Sequence, residues 1–331
     1  MIIDAHAYAR AGLLGNPSDG YFGKTISIIV RNFGARVQLY ETPELHIEPQ
    51  IQDTNIYRNI SHLIESINLI GYYGGSRLIK AAIKKFYEYC SGNRLRIDNK
   101  NFTIRYHSSI PRQVGLAGSS AIITATLRAL MQFYQVKIPV ELLPNITLAT
   151  ETEELGITAG LQDRVIQAYE GCVYMDFDKK IMETRKHGKY EKLDPSLLPR
   201  LYIAYKTELG KISGKVHGDL RTRWENGDPL VVGTLREIAE LAEEGRTAIL
   251  NQDIPKLHGL MNRNFDLRAS IMNISDANRA MVESARNCGA SAHFTGSGGS
   301  IIGIYYSDEM LTQLIMEMKK LRARVIKPYI V

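Results

Sequence analysis

Apolar and polar positions alternate between two periodicities along the first half of the chain, short β-branched runs and stretches of helical spacing. Thr25 to Val30 and Ala35 to Tyr40 read as paired strands, with Asn32-Phe33-Gly34 supplying a turn between them. From Ser76 to Tyr89, apolar residues stand at Leu78, Ile79, Ala82, Ile83 and Phe86, which predicts a helix. A β-rich run, Phe102 to Tyr106, enters a glycine-rich stretch, and a helical pattern leaves it from Ser119 to about Tyr134. Two more helical patterns, Val140–Leu155 and Ala159–Tyr169, precede the strand-like Cys172–Phe177. The polar stretch from Asp178 to about Pro199 marks the expected boundary between two domains, 1–190 and 191–331. Beyond it Leu201–Tyr205 reads as a strand, and helical patterns fill most of Lys215 to Cys288. The chain then closes strand, turn, strand, helix, strand over Ala290–Phe294, Ile301–Tyr306, Met310–Leu321 and Ala323–Ile326. That order predicts an α+β fold whose C-terminal part is an antiparallel sheet under helices.

Composition narrows the picture without changing it. A chain of 331 residues, 44% hydrophobic and 23% charged, is long enough to bury two cores. The net charge of +6 is spread out. It suits an anionic small-molecule substrate, and no basic patch interleaved with aromatics supports a nucleic-acid partner. Cys90, Cys172 and Cys288 lie far apart, in no metal-ligand spacing, and read as reduced, buried small hydrophobes of a cytoplasmic protein. The N-terminus lacks a basic-then-apolar signal pattern, and no apolar run approaches the ~20 residues that span a bilayer, so no membrane association is expected.

Three glycine-containing clusters and an acidic segment carry the candidate chemistry. Pro111 to Ala121 (Pro-Arg-Gln-Val-Gly-Leu-Ala-Gly-Ser-Ser-Ala) joins a strand to a helix. A helix opening on glycines offers unpaired N–H groups and a positive dipole end to phosphate, and Ser119 and Ser120 add hydroxyls able to ligate Mg²⁺. Alone, such a turn can equally bind nothing, and it lacks the Lys-Ser/Thr ending of a P-loop. Near the N-terminus, Arg10 is followed by Gly12-Leu13-Leu14-Gly15-Asn16-Pro17-Ser18-Asp19, a polar loop at a strand end. Asp19 can accept from two vicinal hydroxyls, and Arg10 can stabilise a transferring phosphate. Glu151 to Arg164 sets carboxylates around a helix break at Gly156 and Gly160. Phosphoryl transfer needs a proton acceptor and a carboxylate for Mg²⁺, roles that Asp163 and Glu151 can divide. The third cluster, Thr295-Gly296-Ser297-Gly298-Gly299-Ser300, has more glycine than a hairpin requires and suggests a ligand-facing loop.

Together these residues resemble the GHMP family of small-molecule kinases. Arg10 to Asp19 is similar to the family's first motif, Pro111 to Ala121 to its second and Phe294 to Gly299 to its third. Within the family, Tyr8-Ala9-Arg10, Ile110 to Gln113, Ala159 to Val165 and Ser213 to His217 most resemble the plant-type glucuronokinase branch, and the resemblance runs nearly the whole chain. One departure from the galactokinase and mevalonate versions is Ala117, inserted between Leu116 and Gly118; it suits the glucuronokinase and heptose-kinase branch.

The resemblance implies the GHMP kinase fold, an N-terminal domain like domain 2 of ribosomal protein S5 and a ferredoxin-like C-terminal domain, with the active site between them. It implies ATP and Mg²⁺. ATP phosphates would lie on Gly115, Leu116, Ala117, Gly118, Ser119 and Ser120. Ser120 (or Ser119) and Glu151, with Glu153 as the fallback, would hold the metal. Asp163 would be the base, and Arg10 the residue that stabilises the transferring group. Asn16, Ser18, Asp19, Gly296, Ser297 and Gly298 would face the sugar. For a substrate carboxylate the sequence offers Arg112, Arg164, Lys215 and Arg268, of which the first three are favoured. The implied reaction is ATP-dependent phosphorylation of the anomeric hydroxyl of D-glucuronic acid. The alternatives are a relative acting on another sugar or a heptose phosphate, and a catalytically silent sugar or ATP sensor. Oligomeric state is not legible in the sequence.

Overall fold

The computed structural model describes residues 2–48, 75–98, 100–207 and 216–331. Their strands form two sheets. The first contains β1 (Ile2–Leu14), β2 (Lys24–Thr42), β3 (His46–Ile47), β4 (Asn101–Ser108), β5 (Cys172–Asp176) and β6 (Lys189–Leu193). Its order is β3-β4-β2-β5-β6, with β1 also paired to β2. Strand β2, 19 residues long, is the spine: β1 pairs along most of it, β4 with its C-terminal half and β5 with its start.

That strand corrects the hairpin expected at Asn32-Phe33-Gly34. Residues 25–30 and 35–40 are successive parts of one strand. The register steps from Tyr8↔Gly34 to Ala9↔Val30, so Arg31, Asn32 and Phe33 bulge out instead of reversing the chain. Turn-forming residues also suit bulges. Here the C-terminal tail is held by the bulge: the Arg31 backbone N–H donates to Tyr329 O at 2.9 Å, and the Asn32 side-chain Oδ1 accepts from the Tyr329 N–H at 2.7 Å.

Helices α1 (Gly75–Gly92), α2 (Gly118–Phe133), α3 (Leu143–Ala149), α4 (Gln162–Tyr169) and α5 (Lys179–Arg185) accompany this sheet. α2 is buried almost all round, through Ala121, Ile123, Ala125, Leu127, Leu130 and Phe133 among others. Such a helix belongs between layers, and α2 lies between α1 and the β1–β2 pair. The long helix expected over Val140–Leu155 is instead α3 followed by a single π turn, Thr150–Glu154. The turn leaves Glu151 0% exposed, whereas Glu153 and Glu154 pair with Lys85 and Lys84 on α1. The polar stretch after Asp178 is not a bare linker, since it carries α5 and β6, which completes the first sheet on β5.

The second sheet contains β7 (Leu201–Lys206), β8 (His293–Phe294), β9 (Ser300–Ile304) and β10 (Ala323–Ile326), ordered β10-β7-β9-β8 and antiparallel throughout. Between β7 and β8 run α6 (Val216–Glu225), α7 (Pro229–Leu250), α8 (Ile254–Ile271) and α9 (Asp276–Asn287); α10 (Asp308–Lys320) joins β9 to β10. Counting these strands one to four, the spatial order is four-one-three-two with helices in both crossovers, the ferredoxin-like arrangement. The helix starts are well specified. The Asp228 carboxylate accepts from the Leu230 and Val231 N–H groups, and Asp253 from that of Lys256. Each such cap contributes about 1 kcal/mol.

The two sheets meet through α7 and α8. Gly245 on α7 lacks a Cβ where the Leu14 methyl lies. On α8, buried Asn264 accepts from the Gly15 N–H at 2.7 Å and donates to Asn16 O at 3.0 Å. The loop after β1 is thereby fixed to the second half of the fold. Cys90, Cys172 and Cys288 are buried and unpaired, as their spacing suggests. Among the described residues no helix is long and apolar enough to cross a membrane.

Candidate active site

A cavity of about 850 Å³ runs along this seam. Leu78 of α1, Tyr106 of β4 and Ile110 just after it line the cavity, as do Asn16, Asp19, Tyr21, Arg268, Gly296 and Ser297. Gly115, Leu116, Ala117, Gly118 and Ser119 stand on its wall. In this loop Gly115 has φ +72°, and Ala117, with φ +60°, is the residue before α2. A non-glycine residue in the left-handed region is strained. The N-cap residue Ala117 offers no side-chain cap, and the first helical residues, Gly118 and Ser119, line the cavity, so N–H groups of this first turn are available to a ligand there.

A charged relay crosses the cavity behind this loop. Asp163, in the first turn of α4, accepts from Arg10 Nε at 2.6 Å, and its other oxygen lies 3.2 Å from Arg164 Nη1. Arg10, 4% exposed, also donates through Nη1 to the carbonyls of Gly115 (2.8 Å) and Thr295 (2.5 Å). One side chain thus ties the ends of β1 and β8 to the glycine loop. Arg164 donates from Nε to Glu151 Oε2 at 2.7 Å and from Nη1 to Gly160 O at 2.7 Å. Glu151 Oε1 accepts from Ser119 Oγ at 2.7 Å.

The two aspartates of the cavity are tuned apart. Burial raises Asp163, but the charges of Arg10 and Arg164 outweigh it and hold the carboxyl below the usual range. Burial, then the nearby charge of Asp163, pushes Asp19 up to about 6. Its hydrogen bonds are long, from the Gln162 N–H at 3.2 Å and Gln162 Nε2 at 3.3 Å.

Other anticipated residues divide by position. Asn16 lines the cavity and donates to Gly296 O at 3.4 Å. Ser18 does not reach it: fully buried, it donates to Lys24 O at 2.8 Å and holds the loop together. Ser120 is likewise turned away, donating to Ala117 O at 3.2 Å, so Ser119 is the serine that faces Glu151. Gly298 is outside the lining and packs against Asn278. Arg112 is exposed at the cavity wall, and Arg164 is taken up by carboxylates. Lys215, with the Ser213–Lys215 part of its motif, lies outside the described residues.

The sequence motifs assign no role to Gln162, Asn264 or Tyr21, and they place Arg268 behind Arg112, Arg164 and Lys215. Asn264 and Arg268 do leave a signal: two polar residues four apart on the face of α8 that otherwise buries Leu257, Leu260, Met261 and Ile271.

A carboxylate–guanidinium pair beside a glycine-rich helix start, in a cavity between two α/β halves, is the architecture of a small-molecule phosphotransferase. Residues 77–171 match the family model described as the GHMP kinases N terminal domain. Over 306 residues the chain is 47% identical to glucuronokinase 1 of Arabidopsis thaliana, covering 91% of this chain and 84% of that protein. It is 44% identical to the same plant's probable glucuronokinase 2, covering 99% and 91%. Among solved structures, the mevalonate kinase of Methanococcus jannaschii superposes with a TM-score of 0.71 at 21% identity, covering 100% of this chain and 98% of that one. The galactokinase of Lactococcus lactis, complexed with galactose, gives 0.77 at 15%, covering 99% and 93%. The chain belongs to the GHMP kinase family.

Proposed function

We propose that this protein transfers the γ-phosphoryl group of ATP to the anomeric hydroxyl of D-glucuronic acid, giving the 1-phosphate, and that it does so in the cytoplasm with Mg²⁺. The observation that carries the chemistry is the Arg10–Asp163 pair, buried at 2.6 Å beside the glycine loop. The sugar rests on the likeness to the plant glucuronokinases. We place a two-domain division between Leu193 and Leu201, where the first sheet ends on β6 and the second begins on β7, a few residues beyond the boundary expected at 190.

Asp163, ionised at neutral pH, accepts the proton of the attacking hydroxyl. A carboxylate held this acidic is a weak base, which suits a loose transition state in which proton transfer comes late. Arg10 Nη2 has no acceptor among the described residues and is free to donate to the transferring group, while Nε keeps Asp163 oriented. The Gly115–Ser119 loop and the α2 N-terminus hold the remaining phosphate charge. The residues present fit Mg²⁺: Ser119 Oγ and Glu151 Oε1, 2.7 Å apart, are hard oxygen donors beside the phosphate loop. A single carboxylate plus a hydroxyl is a usual protein contribution when phosphates and waters complete the shell. When bound, the ion would neutralise charge on the ATP phosphates. Ionised Asp19, with Asn16, orients the sugar hydroxyls.

The test is ADP release from Mg²⁺-ATP across D-glucuronate, D-galacturonate, D-glucose, D-galactose and a heptose 7-phosphate. Preferred turnover of D-glucuronate supports the proposal. Preference for a neutral or phosphorylated sugar would replace the substrate, and binding of ATP and sugar without turnover would replace the enzyme with a sensor.

A further inference from the structure

Arg268 stands apart from the other buried arginines among the described residues. Arg10 and Arg164 each face a carboxylate within ion-pair distance. Arg268, 2% exposed and lining the same cavity, faces none among the described residues. Its Nη1 donates to Gly296 O at 2.7 Å, and its guanidinium lies 5.1 Å from the centre of the Phe294 ring. Its Nε is buried without an acceptor, and no acceptor meets Nη2 among the described residues. Nε and Nη2 form the edge of a guanidinium that grips a carboxylate through two parallel N–H···O bonds.

We infer that Arg268 binds the carboxylate of the acidic substrate and sets the enzyme's preference for a sugar acid over the neutral sugar. The inference rests on the glucuronate reading above and adds to it the residue responsible. A buried charge with no carboxylate at ion-pair distance is unfavourable in the free protein. Burial, then the charge of Arg10, pushes Arg268 down to about 10, so it remains a cation at neutral pH. An incoming carboxylate supplies the missing partner, and a neutral hydroxymethyl group does not. Position agrees. Asn264, one turn earlier on α8, clamps Gly15 and Asn16, and Asn16 shares the Gly296 carbonyl with Arg268. The helix face that fixes the sugar-side loop therefore also presents the cation. Arg268 interacts electrostatically with Asp19 as well, which places a cation for the carboxylate and an acceptor for hydroxyls in one part of the cavity. Arg164, by contrast, is already neutralised by Glu151 and Asp163.

The test compares the full-length enzyme with Arg268→Met and Arg268→Lys. It uses kcat/KM for D-glucuronate and for D-glucose, calorimetric binding of Mg²⁺-ATP, and the melting temperature without ligands. Arg268→Met is expected to lose about 100-fold or more in kcat/KM for D-glucuronate, mainly through KM, as befits an unmade charge-assisted pair. D-glucose kcat/KM and ATP affinity should change by less than about threefold, and Arg268→Lys should recover part of the loss. The ligand-free melting temperature should hold or rise, because an unpaired buried charge has been removed. Equal losses on both sugars, a matching loss of ATP affinity, or a fall in melting temperature in both variants would assign Arg268 to the phosphates or to the fold and overturn the inference. Unchanged D-glucuronate kinetics would overturn it too. If the unsubstituted enzyme itself does not phosphorylate D-glucuronate, the functional proposal fails first. If it does and only the Arg268 results disagree, that proposal stands without this one.

Discussion

Asp163 and Asp19 share one cavity yet are pushed in opposite directions, which is how two carboxyl groups come to serve different purposes. Two arginines keep Asp163 charged. Asn at 163 should lower kcat roughly 10²–10⁴-fold while leaving ATP affinity within about threefold, as read by steady-state rates and calorimetry. Near-normal turnover in that variant would remove Asp163 from the mechanism. Asp19, at about 6, should impose a titration on sugar recognition. Only the ionised form accepts from two hydroxyls, so kcat/KM for the sugar should rise about tenfold per pH unit below about 6 and level off above it. Asp19→Asn should abolish that limb as well as lower activity. The same shift has an opposite consequence for stability. The folded state holds this proton more tightly than the unfolded chain, so the group's contribution is greatest below about pH 4 and is lost as pH rises through about 6.

At the scale of elements, the site depends on irregularities, and these were unevenly legible. The glycine loop and the start of α2 could be placed from sequence because glycine and serine at a strand–helix junction have few structural uses. The π turn at Thr150–Glu154 could not, since its register comes from packing that turns Glu151 inward and sends Glu153 and Glu154 to Lys85 and Lys84. Asn32-Phe33-Gly34 carried a turn signal that a bulge satisfies equally well once a distant tail fills its hydrogen bonds. Arginines beside motifs were visible, but which of them keeps a free edge depends on partners far apart in sequence. Arg164, favoured for the substrate, instead joins Glu151 to Asp163. Removing it leaves Glu151 buried without its cation. Arg164→Met should therefore destabilise the protein by about 3–5 kcal/mol in urea unfolding, whereas a purely substrate-binding arginine would leave stability nearly untouched.

Across the whole molecule, the α+β order and the C-terminal antiparallel sheet were readable from periodicity and element order. The substrate was not, because the fold is shared: a mevalonate kinase and a galactokinase superpose at TM-scores of 0.71 and 0.77. Specificity must therefore come from side chains on the seam, such as those that α8 contributes. Because ligands would contact both halves there, Mg²⁺-ATP and sugar should stabilise the molecule jointly. A ligand at 100 times its Kd adds about 2.7 kcal/mol, visible as a rise in melting temperature that survives in Asp163→Asn, where binding is kept and turnover is not. The decisive measurement is phosphorus and proton NMR of the product formed from D-glucuronate and Mg²⁺-ATP. One new phosphate ester coupled to the anomeric proton is expected, with ADP formed in equal amount. An ester at another carbon, or ATP consumed without a sugar phosphate, would contradict the proposed reaction.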